Sequence, residues 1–145
     1  MLNSLLNYLV PELMDEFHAI NKEALDIDRQ AGPKFEHWHS VMNQLDDQQN
    51  DYFETLKTRS LSETEIPLIR QIIKDRLHTM VRLHNRATDY LFQTQGYSDL
   101  ILKSRSLDEK RKLLSDMKQY AQEETIMIDS LIKEEEKEIK INLNK

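Results

Sequence analysis

Residues 62–91 read SETEIPLIRQIIKDRLHTMVRLHNRATDYL and decide the fold class of the chain. The first four match a capping box, in which the side chains of Ser62 and Glu65 each accept a hydrogen bond from the other residue's backbone N–H. Apolar residues then recur three or four positions apart, the spacing of one helix face. They are Ile66, Ile69, Ile73, Leu77, Met80, Ala87 and Leu91. The stretch predicts a long amphipathic helix that ends at Gly96, a residue type suited to a helix C-terminus.

Composition extends the helical prediction to the whole chain. The 145 residues include 2 Gly, 3 Pro and no Cys. Strands joined by tight turns need Gly, Pro and Asn-Gly pairs, so a β-sandwich or β-barrel is excluded. Two glycines cannot build a glycine-rich phosphate loop, and the lack of cysteine excludes disulfides, thiolate zinc sites and a cysteine nucleophile. We therefore expect a single all-α domain over residues 1–145.

Start and stop signals divide this domain into four helices. Pro11 and the acidic residues after it indicate the start of the first helix, and Ala31-Gly32-Pro33 indicates its end. The second helix runs to about Arg59, and the capping box at Ser62 opens the third. A second capping box, Ser106-Leu107-Asp108-Glu109, opens the last. Short connections between helices of this length predict an elongated, antiparallel four-helix bundle.

The two ends of the chain differ from its middle. The spacing of Leu2, Leu5, Leu6 and Leu9 predicts a short amphipathic lead-in helix at the N-terminus. The last helix is long and charged, and its end, residues 133–145, is polar enough to predict a frayed extension. Two acids on its apolar stripe, Glu124 and Glu135, are expected to lie beyond the packed region or to pair with Arg82, Arg86 or a partner's base, because burying an unpaired carboxylate is costly.

Charge and hydropathy suggest where the protein works. The chain carries 20 basic and 26 acidic residues, for a net charge of −6. No apolar run approaches the roughly 18–20 residues that span a bilayer. The first residues lack the basic segment and the cleavage site of a signal peptide. We therefore expect a cytoplasmic protein, or one exported without a cleavable signal.

Carboxylate–histidine pairs raise the question of a metal centre. Three acids precede a histidine by three positions: Asp15–His18, Glu36–His39 and Asp75–His78. Di-iron helical bundles use this spacing with both side chains directed inward. At 100° per residue, however, each pair points away from the apolar stripe of its helix. A carboxylate–histidine metal-binding bundle is therefore only our third hypothesis, and we expect no metal and no cofactor. His84 lies within the apolar stripe of the third helix and is predicted to be a core or half-buried histidine hydrogen-bonded to a neighbour. The alternative is a pH-sensitive contact, because histidine titrates near neutrality.

Basic residues between positions 70 and 112 support a second hypothesis, a nucleic-acid-associated regulator. They are Arg70, Lys74, Arg76, Arg82, Arg86, Lys103, Arg105, Lys110, Arg111 and Lys112. The net acidity, the interleaved carboxylates and the lack of a recognition-helix pattern disfavour this reading. The chain also has no nucleophile-elbow motif and too little glycine for an oxyanion loop. We therefore expect no enzymatic activity.

Surplus apolar side chains support our first hypothesis, a non-enzymatic protein–protein interaction module that acts as a chaperone, an adaptor or a regulatory bundle. Aromatic residues and methionine are enriched at interfaces, and an amphipathic helix fits an apolar groove. The alternative is that these side chains simply form the core of the chain or the interface of a homodimer. The predicted contact residues are Leu6, Leu9, Trp38, Tyr52, Tyr90, Phe92, Ile128 and Leu131.

Two segments resemble the flagellar and type III export chaperones that bind axial or cap proteins. The first segment, EALDIDRQAGPKFEHWHSVMNQLDDQQNDYFETL, begins with Glu23-Ala24-Leu25. The second, IIKDRLHTMVRLHNRATDYLFQTQ, contains the run from Asn85 to Leu91. The resemblance implies a small, acidic, all-helical protein with a long hairpin. It also implies a carrier whose last helix binds a partner's terminal helix or is masked against its own bundle.

Overall fold

The structure, a computed structural model, describes residues 11–138 as three α-helices. Helix α1 spans Pro11–Leu56, α2 spans Glu65–Lys103 and α3 spans Leu107–Lys137. Residues 11–138 contain no β-strand, so the predicted all-α class is confirmed. The predicted lead-in helix at 2–9, and positions 139–145 of the predicted extension, lie outside the described residues.

The predicted four-helix bundle is wrong, because the expected first and second helices are one helix of 46 residues. Pro33 lies inside α1, where it lacks the N–H of a helical hydrogen bond at a typical cost of about 3 kcal/mol. Gly32 has no left-handed backbone that would end the helix. Ala24, Ala31 and Trp38 are buried at seven-residue intervals on both sides of this proline. Continuous burial along one face therefore outweighs the local stop signal.

The predicted end of a helix at Gly96 is also wrong. Helix α2 continues beyond Gly96 to Lys103. Gly96 has no positive φ, so it adopts ordinary helical backbone. Ser98 and Ile101 are buried beyond it, which gives the helix a reason to continue.

Of the two predicted capping boxes, the first forms completely and the second forms only in part. At the start of α2, Ser62 N–H donates to Glu65 Oε1 at 3.1 Å and Glu65 N–H donates to Ser62 Oγ at 3.2 Å, so this box is confirmed. The backbone hydrogen bond from Ser62 is the main cause that lowers the pKa of Glu65. At the start of α3, Glu109 N–H donates to Ser106 Oγ at 3.3 Å. Ser106 N–H instead donates to Ser104 Oγ, so only half of the second box forms.

Contacts along the helices group the chain into two compact units. The first unit comprises Met1–Lys34 and Asp89–Glu124, and the second comprises Phe35–Thr88 and Thr125–Lys145.

The first unit has an aliphatic core bordered by ion pairs. Its buried residues are Ile20, Ala24, Ile101, Leu114 and Met117. Beside them, the guanidinium of Arg111 donates to both carboxylate oxygens of Glu16, at 2.6 and 2.8 Å. Lys118 forms an ion pair with Glu23. Because both pairs join α1 to α3, they complement the apolar packing between these helices.

A buried lysine closes the turn from α2 to α3 in the first unit. Lys110 is only 2% exposed, and its ammonium donates to Asn21 Oδ1 at 2.7 Å and to the carbonyl oxygen of Ile101. Its Nζ also lies 5.6 Å from the centroid of the Phe17 ring. The Ile101 carbonyl belongs to the last turn of α2, where helical carbonyls lack a partner within the helix. Burial lowers the pKa of Lys110.

The second unit is held by buried polar contacts as well as apolar ones. The indole Nε1–H of Trp38 donates to Asp129 Oδ1 at 2.8 Å. The amide Nε2 of Gln49 donates to Glu135 Oε2 at 3.2 Å. A smaller apolar cluster around Leu56 and Ile69 forms where α1 ends and α2 begins.

Candidate partner-binding surface

An exposed apolar strip runs along the first half of α2, within the second unit. The side chains of Ile66, Leu77 and Val81 are 42%, 47% and 58% exposed. At 100° per residue these three positions fall within about 60° of one another, and they define the α2 strip. Ile69, Met80 and other residues on the adjoining face of α2 are buried. The apolar face of α2 is therefore wider than the part that residues 11–138 bury, and these residues leave its outer edge exposed.

A pocket of about 280 Å³ continues the α2 strip toward the start of the helix. It is lined by Leu61, Ile66, Ile69, Arg70, Ile73 and Lys74. The completed capping box at Ser62 fixes the first turn of α2, and it thereby holds Ile66 and Ile69 at the pocket wall. The pocket is thus an apolar depression built on a rigid helix start, with two cations in its lining.

The two cations of this pocket are available for a partner. Arg70 and Lys74 are exposed. Neither of them contacts a carboxylate within residues 11–138. They lie one turn apart on the helix side that carries the α2 strip, so both can face the flank of a molecule that covers the strip.

The predicted contact residues are distributed over several environments. Trp38, Tyr90 and Ile128 are buried, and Tyr90 stacks on Tyr120 with ring centroids 5.9 Å apart. Tyr52 is half-buried against the Leu56/Ile69 cluster, and Leu131 is half-buried on α3. Phe92 is 63% exposed. Leu6 and Leu9 lie outside the described residues. The role of all eight in partner binding stays a prediction, and Phe92 is the most accessible of the described six.

Sequence reasoning assigned Ile66 and Leu77 to the core stripe of their helix, whereas the structure exposes both. The spacing of three and four residues is satisfied equally by a narrow buried stripe and by a wider face of which only part is covered. The positions of the residues around the helix axis could have distinguished these two cases. Ile66, Leu77 and Val81 drift to one side of the line through Ile69 and Met80, toward Arg70 and Lys74.

The carboxylate–histidine pairs face outward as predicted. All six side chains of these pairs are exposed. Within the described residues no group of three or more His, Cys, Asp or Glu side chains is placed to hold a metal ion. His84 is half-buried and its Nε2 lies 2.9 Å from Asp46 Oδ2, as expected of a hydrogen-bonded histidine.

Some residues of the basic region between positions 70 and 112 already form contacts with other residues of the chain. Lys110 is buried against Asn21 and Ile101, and Arg111 is ion-paired with Glu16. Two of the five bases in the cluster at 103–112 therefore already have partners. The nucleic-acid hypothesis stays a prediction, with fewer cations at this junction than the sequence suggests.

Glu135 departs from its expected position beyond the packed region. It is 6% exposed and accepts the hydrogen bond from Gln49. Burial raises the pKa of its carboxyl, and the hydrogen bond from Gln49 and the charge of Arg76 oppose that rise. The Nη1 of Arg76 is buried without a hydrogen-bond partner among the described residues. The second unit therefore buries the carboxylate of Glu135 near the guanidinium of Arg76, without a direct hydrogen bond between the two groups.

Within residues 11–138, none of the helices combines the length and the apolar character needed to cross a membrane. No protein-family model, curated protein or solved structure matches the chain.

Proposed function

We propose that the chain is a non-enzymatic helix-binding module of the chaperone or adaptor class. Its α2 strip and pocket receive an amphipathic helix that has an apolar face and acidic flanks. The observation that carries this proposal is the apolar pocket with two unpaired cations, Arg70 and Lys74, in its lining.

The dimensions of the surface suit a short helix. From Ile66 to Val81 the α2 strip covers about four helical turns, or roughly 22 Å. A partner helix lying along it would present apolar side chains three and four positions apart, which is the usual mode of helix-in-groove recognition. Large apolar side chains exposed on one side of a helix are candidates for an interaction site on a soluble protein.

Local charge supports an acidic partner over a basic one. Although the chain carries a net charge of −6, salt screens its distant charges over roughly 8 Å at physiological ionic strength. Of the charged side chains between positions 66 and 81 of α2, Arg70 and Lys74 lie closest in direction to the α2 strip. Glutamates on that helix would gain two contacts, whereas lysines would meet repulsion.

The proposal agrees in kind with the resemblance to export chaperones, which implies a carrier that covers a partner's terminal helix. It differs in the element used. The resemblance implies binding by the last helix, whereas we place the partner on α2, next to the pocket at its start.

A binding experiment with two synthetic peptides tests the proposal. Both are amphipathic helices with one leucine face, one with glutamate on its flanks and the other with lysine. We expect fluorescence anisotropy to give at least about tenfold tighter binding of the glutamate peptide, a difference of about 1.4 kcal/mol. Leu77→Asp should abolish this binding. Replacing Arg70 and Lys74 together by Glu should reverse the preference between the peptides.

The control variant is Ile126→Asp, on α3 of the same unit, because Ile126 is also exposed but lies outside the α2 strip. It should bind the glutamate peptide like the parent chain. Circular dichroism confirms that each variant is folded. Equal affinity for the two peptides, or binding that survives Leu77→Asp, would show that the α2 strip is not the site.

A further inference from the structure

The outward face of the second half of α2, in the first unit, carries five exposed residues on one line. They are Asp89, Phe92, Gly96, Leu100 and Lys103, and together they define the Gly96 face. Phe92 and Leu100 are 63% and 56% exposed, so they form the apolar part of this face. At 100° per residue all five lie within about 40° of the direction of Gly96. They therefore form one stripe along the helix.

The spacing of this stripe is symmetric about Gly96. Phe92 and Leu100 lie four residues before and after it, at about 6 Å along the helix axis. Asp89 and Lys103 lie seven residues before and after it, at about 10.5 Å. Each apolar residue thus has an apolar counterpart, and the acidic residue at one end has a basic counterpart at the other.

Gly96 has no role in the folded chain that requires glycine. It lies inside α2 with no positive φ, and a Cβ placed on it would meet no atom within 4 Å. Glycine at such a position destabilises a helix relative to alanine. A missing side chain on an exposed face does allow close approach by another backbone. The gap between Phe92 and Leu100 is therefore suited to a second helix that crosses at Gly96.

We propose that the Gly96 face binds the same face of a second copy of this chain, with the two α2 helices antiparallel and a twofold axis at Gly96. Phe92 then packs on the partner's Leu100, and Leu100 packs on the partner's Phe92. Asp89 pairs with the partner's Lys103, and Lys103 pairs with the partner's Asp89. Gly96 faces the partner's Gly96 at the crossing.

Self-complementarity is the reason to choose a second copy as the occupant. In a twofold interface, if one residue contacts a second on the partner, the second contacts the first in return. The order acid, apolar, glycine, apolar, base meets this condition in the antiparallel direction only. A parallel pair would place Asp89 opposite the partner's Asp89 and Lys103 opposite the partner's Lys103. Within residues 11–138, neither Asp89 nor Lys103 forms an ion pair that would have to be broken.

The contact is small, so the dimer is a weak one. Four turns of one helix give less area than the roughly 1,200–2,000 Å² of a stable interface. We expect a dissociation constant in the micromolar range or weaker. This inference does not rest on the proposed function, because the α2 strip lies in the other unit and carries none of these five residues.

Sedimentation equilibrium of the full chain tests the dimer. The average mass should rise with concentration from 17.3 kDa toward twice that value. Phe92→Asp and Gly96→Gln should each weaken association by at least about tenfold. Gly96→Gln is a fold-safe variant, because the site is open and glutamine is a better helix former than glycine. Gly32→Gln, at the other open helical glycine, is its matched control and should leave association unchanged.

A charge exchange tests the antiparallel direction. Asp89→Lys alone places like charges opposite each other twice and should weaken the dimer, and Lys103→Asp alone should do the same. The double variant restores both ion pairs with reversed polarity, so it should recover the affinity of the parent chain. Asp116→Lys, an exposed acid of α3 in the same unit, controls for net charge. A chain that stays monomeric at millimolar concentration, a dimer indifferent to Gly96→Gln, or a double variant as weak as the single ones would overturn the proposal.

Discussion

The two units are built from the same three helices but treat their charged and apolar side chains differently. The first unit pairs its charges across helices and uses Lys110 to bind the end of α2. The second buries Glu135 and leaves the α2 strip uncovered. Of the nine large apolar side chains exposed among the described residues, six lie in the second unit and three in the first. The contrast indicates that helical content alone does not determine which part of the molecule can receive a partner.

The largest effect that would sharpen this comparison is expected at Trp38, in the core of the second unit. Trp38→Ala should lower the free energy of unfolding by about 3–5 kcal/mol, because it leaves a large cavity. Trp38→Phe keeps most of the apolar volume and removes the hydrogen bond to Asp129, so it should cost about 1–2 kcal/mol. Urea unfolding followed by far-UV circular dichroism measures both. A loss below about 1 kcal/mol for Trp38→Ala would mean that this core contributes little.

The corresponding test of the first unit is Lys110→Met, which keeps the buried chain and removes the ammonium group. The carbonyl of Ile101 and the amide oxygen of Asn21 then lose their donor, at an expected cost of about 1–3 kcal/mol. Lys112→Met, at an exposed position two residues away, should change the unfolding free energy by less than about 0.5 kcal/mol. Equal effects of the two substitutions would contradict the assignment of Lys110 as the group that closes the turn.

The helix starts of the two units should differ by a smaller amount. Ser62→Ala removes the hydroxyl from a completed capping box and should cost about 1 kcal/mol. Ser106→Ala removes it from a box in which only one of the two hydrogen bonds forms, so about 0.5 kcal/mol is expected. Thermal unfolding of the two variants in parallel measures the difference. A larger loss of stability for Ser106→Ala than for Ser62→Ala would indicate that the start of α3 depends more on its capping residue than the start of α2 does.

The smallest expected effects are changes in the stability of the fold with pH, and they should have opposite signs in the two units. The hydrogen bond from Arg111 lowers the pKa of Glu16, so Glu16 stabilises the fold above its usual value of 4.5 and loses this contribution as pH falls through its folded pKa. Burial raises the pKa of Glu135, so its ionisation disfavours the fold at neutral pH, and protonation relieves this as pH falls.

The conservative amide variants separate these two contributions. Glu16→Gln should lower the urea midpoint at pH 7, and Glu135→Gln should raise it. The difference for Glu16→Gln should shrink as pH falls below 4.5, the usual pKa of a glutamate, because the folded pKa of Glu16 is lower than that. The difference for Glu135→Gln should shrink earlier, as pH falls toward 4.5 from above, because the folded pKa of Glu135 is raised. Shifts of the same sign for the two variants at pH 7 would contradict the contrast between an ion-paired and a buried carboxylate.

Local signals predicted this structure well where they act within one helical turn. The box at Ser62, the outward carboxylate–histidine pairs and the hydrogen-bonded His84 all follow from spacing and side-chain chemistry. The all-α class follows from the scarcity of glycine and proline. The capping box and the carboxylate–histidine pairs depend only on residues a few positions apart.

The errors arose where burial from elsewhere in the chain outweighs a local preference. Pro33 and Gly96 are helix-ending residue types, yet buried residues on both sides keep their helices continuous. Lys110 and Glu135 read as surface charges, yet each finds a hydrogen-bond partner more than 80 positions away, Asn21 and Gln49 respectively. The α2 strip was missed for a related reason, since the sequence alone does not say how much of an apolar face will be covered.

The placement of the aromatic rings has a consequence for spectroscopy. The chain has a single tryptophan, Trp38, and it lies in the second unit. Tyr90 and Tyr97, both packed near Tyr120, lie in the first. Tyr52, by contrast, lies in the second unit, so tyrosine signals come from both units. Indole emission therefore reports, without any added label, on the unit that carries the proposed partner site.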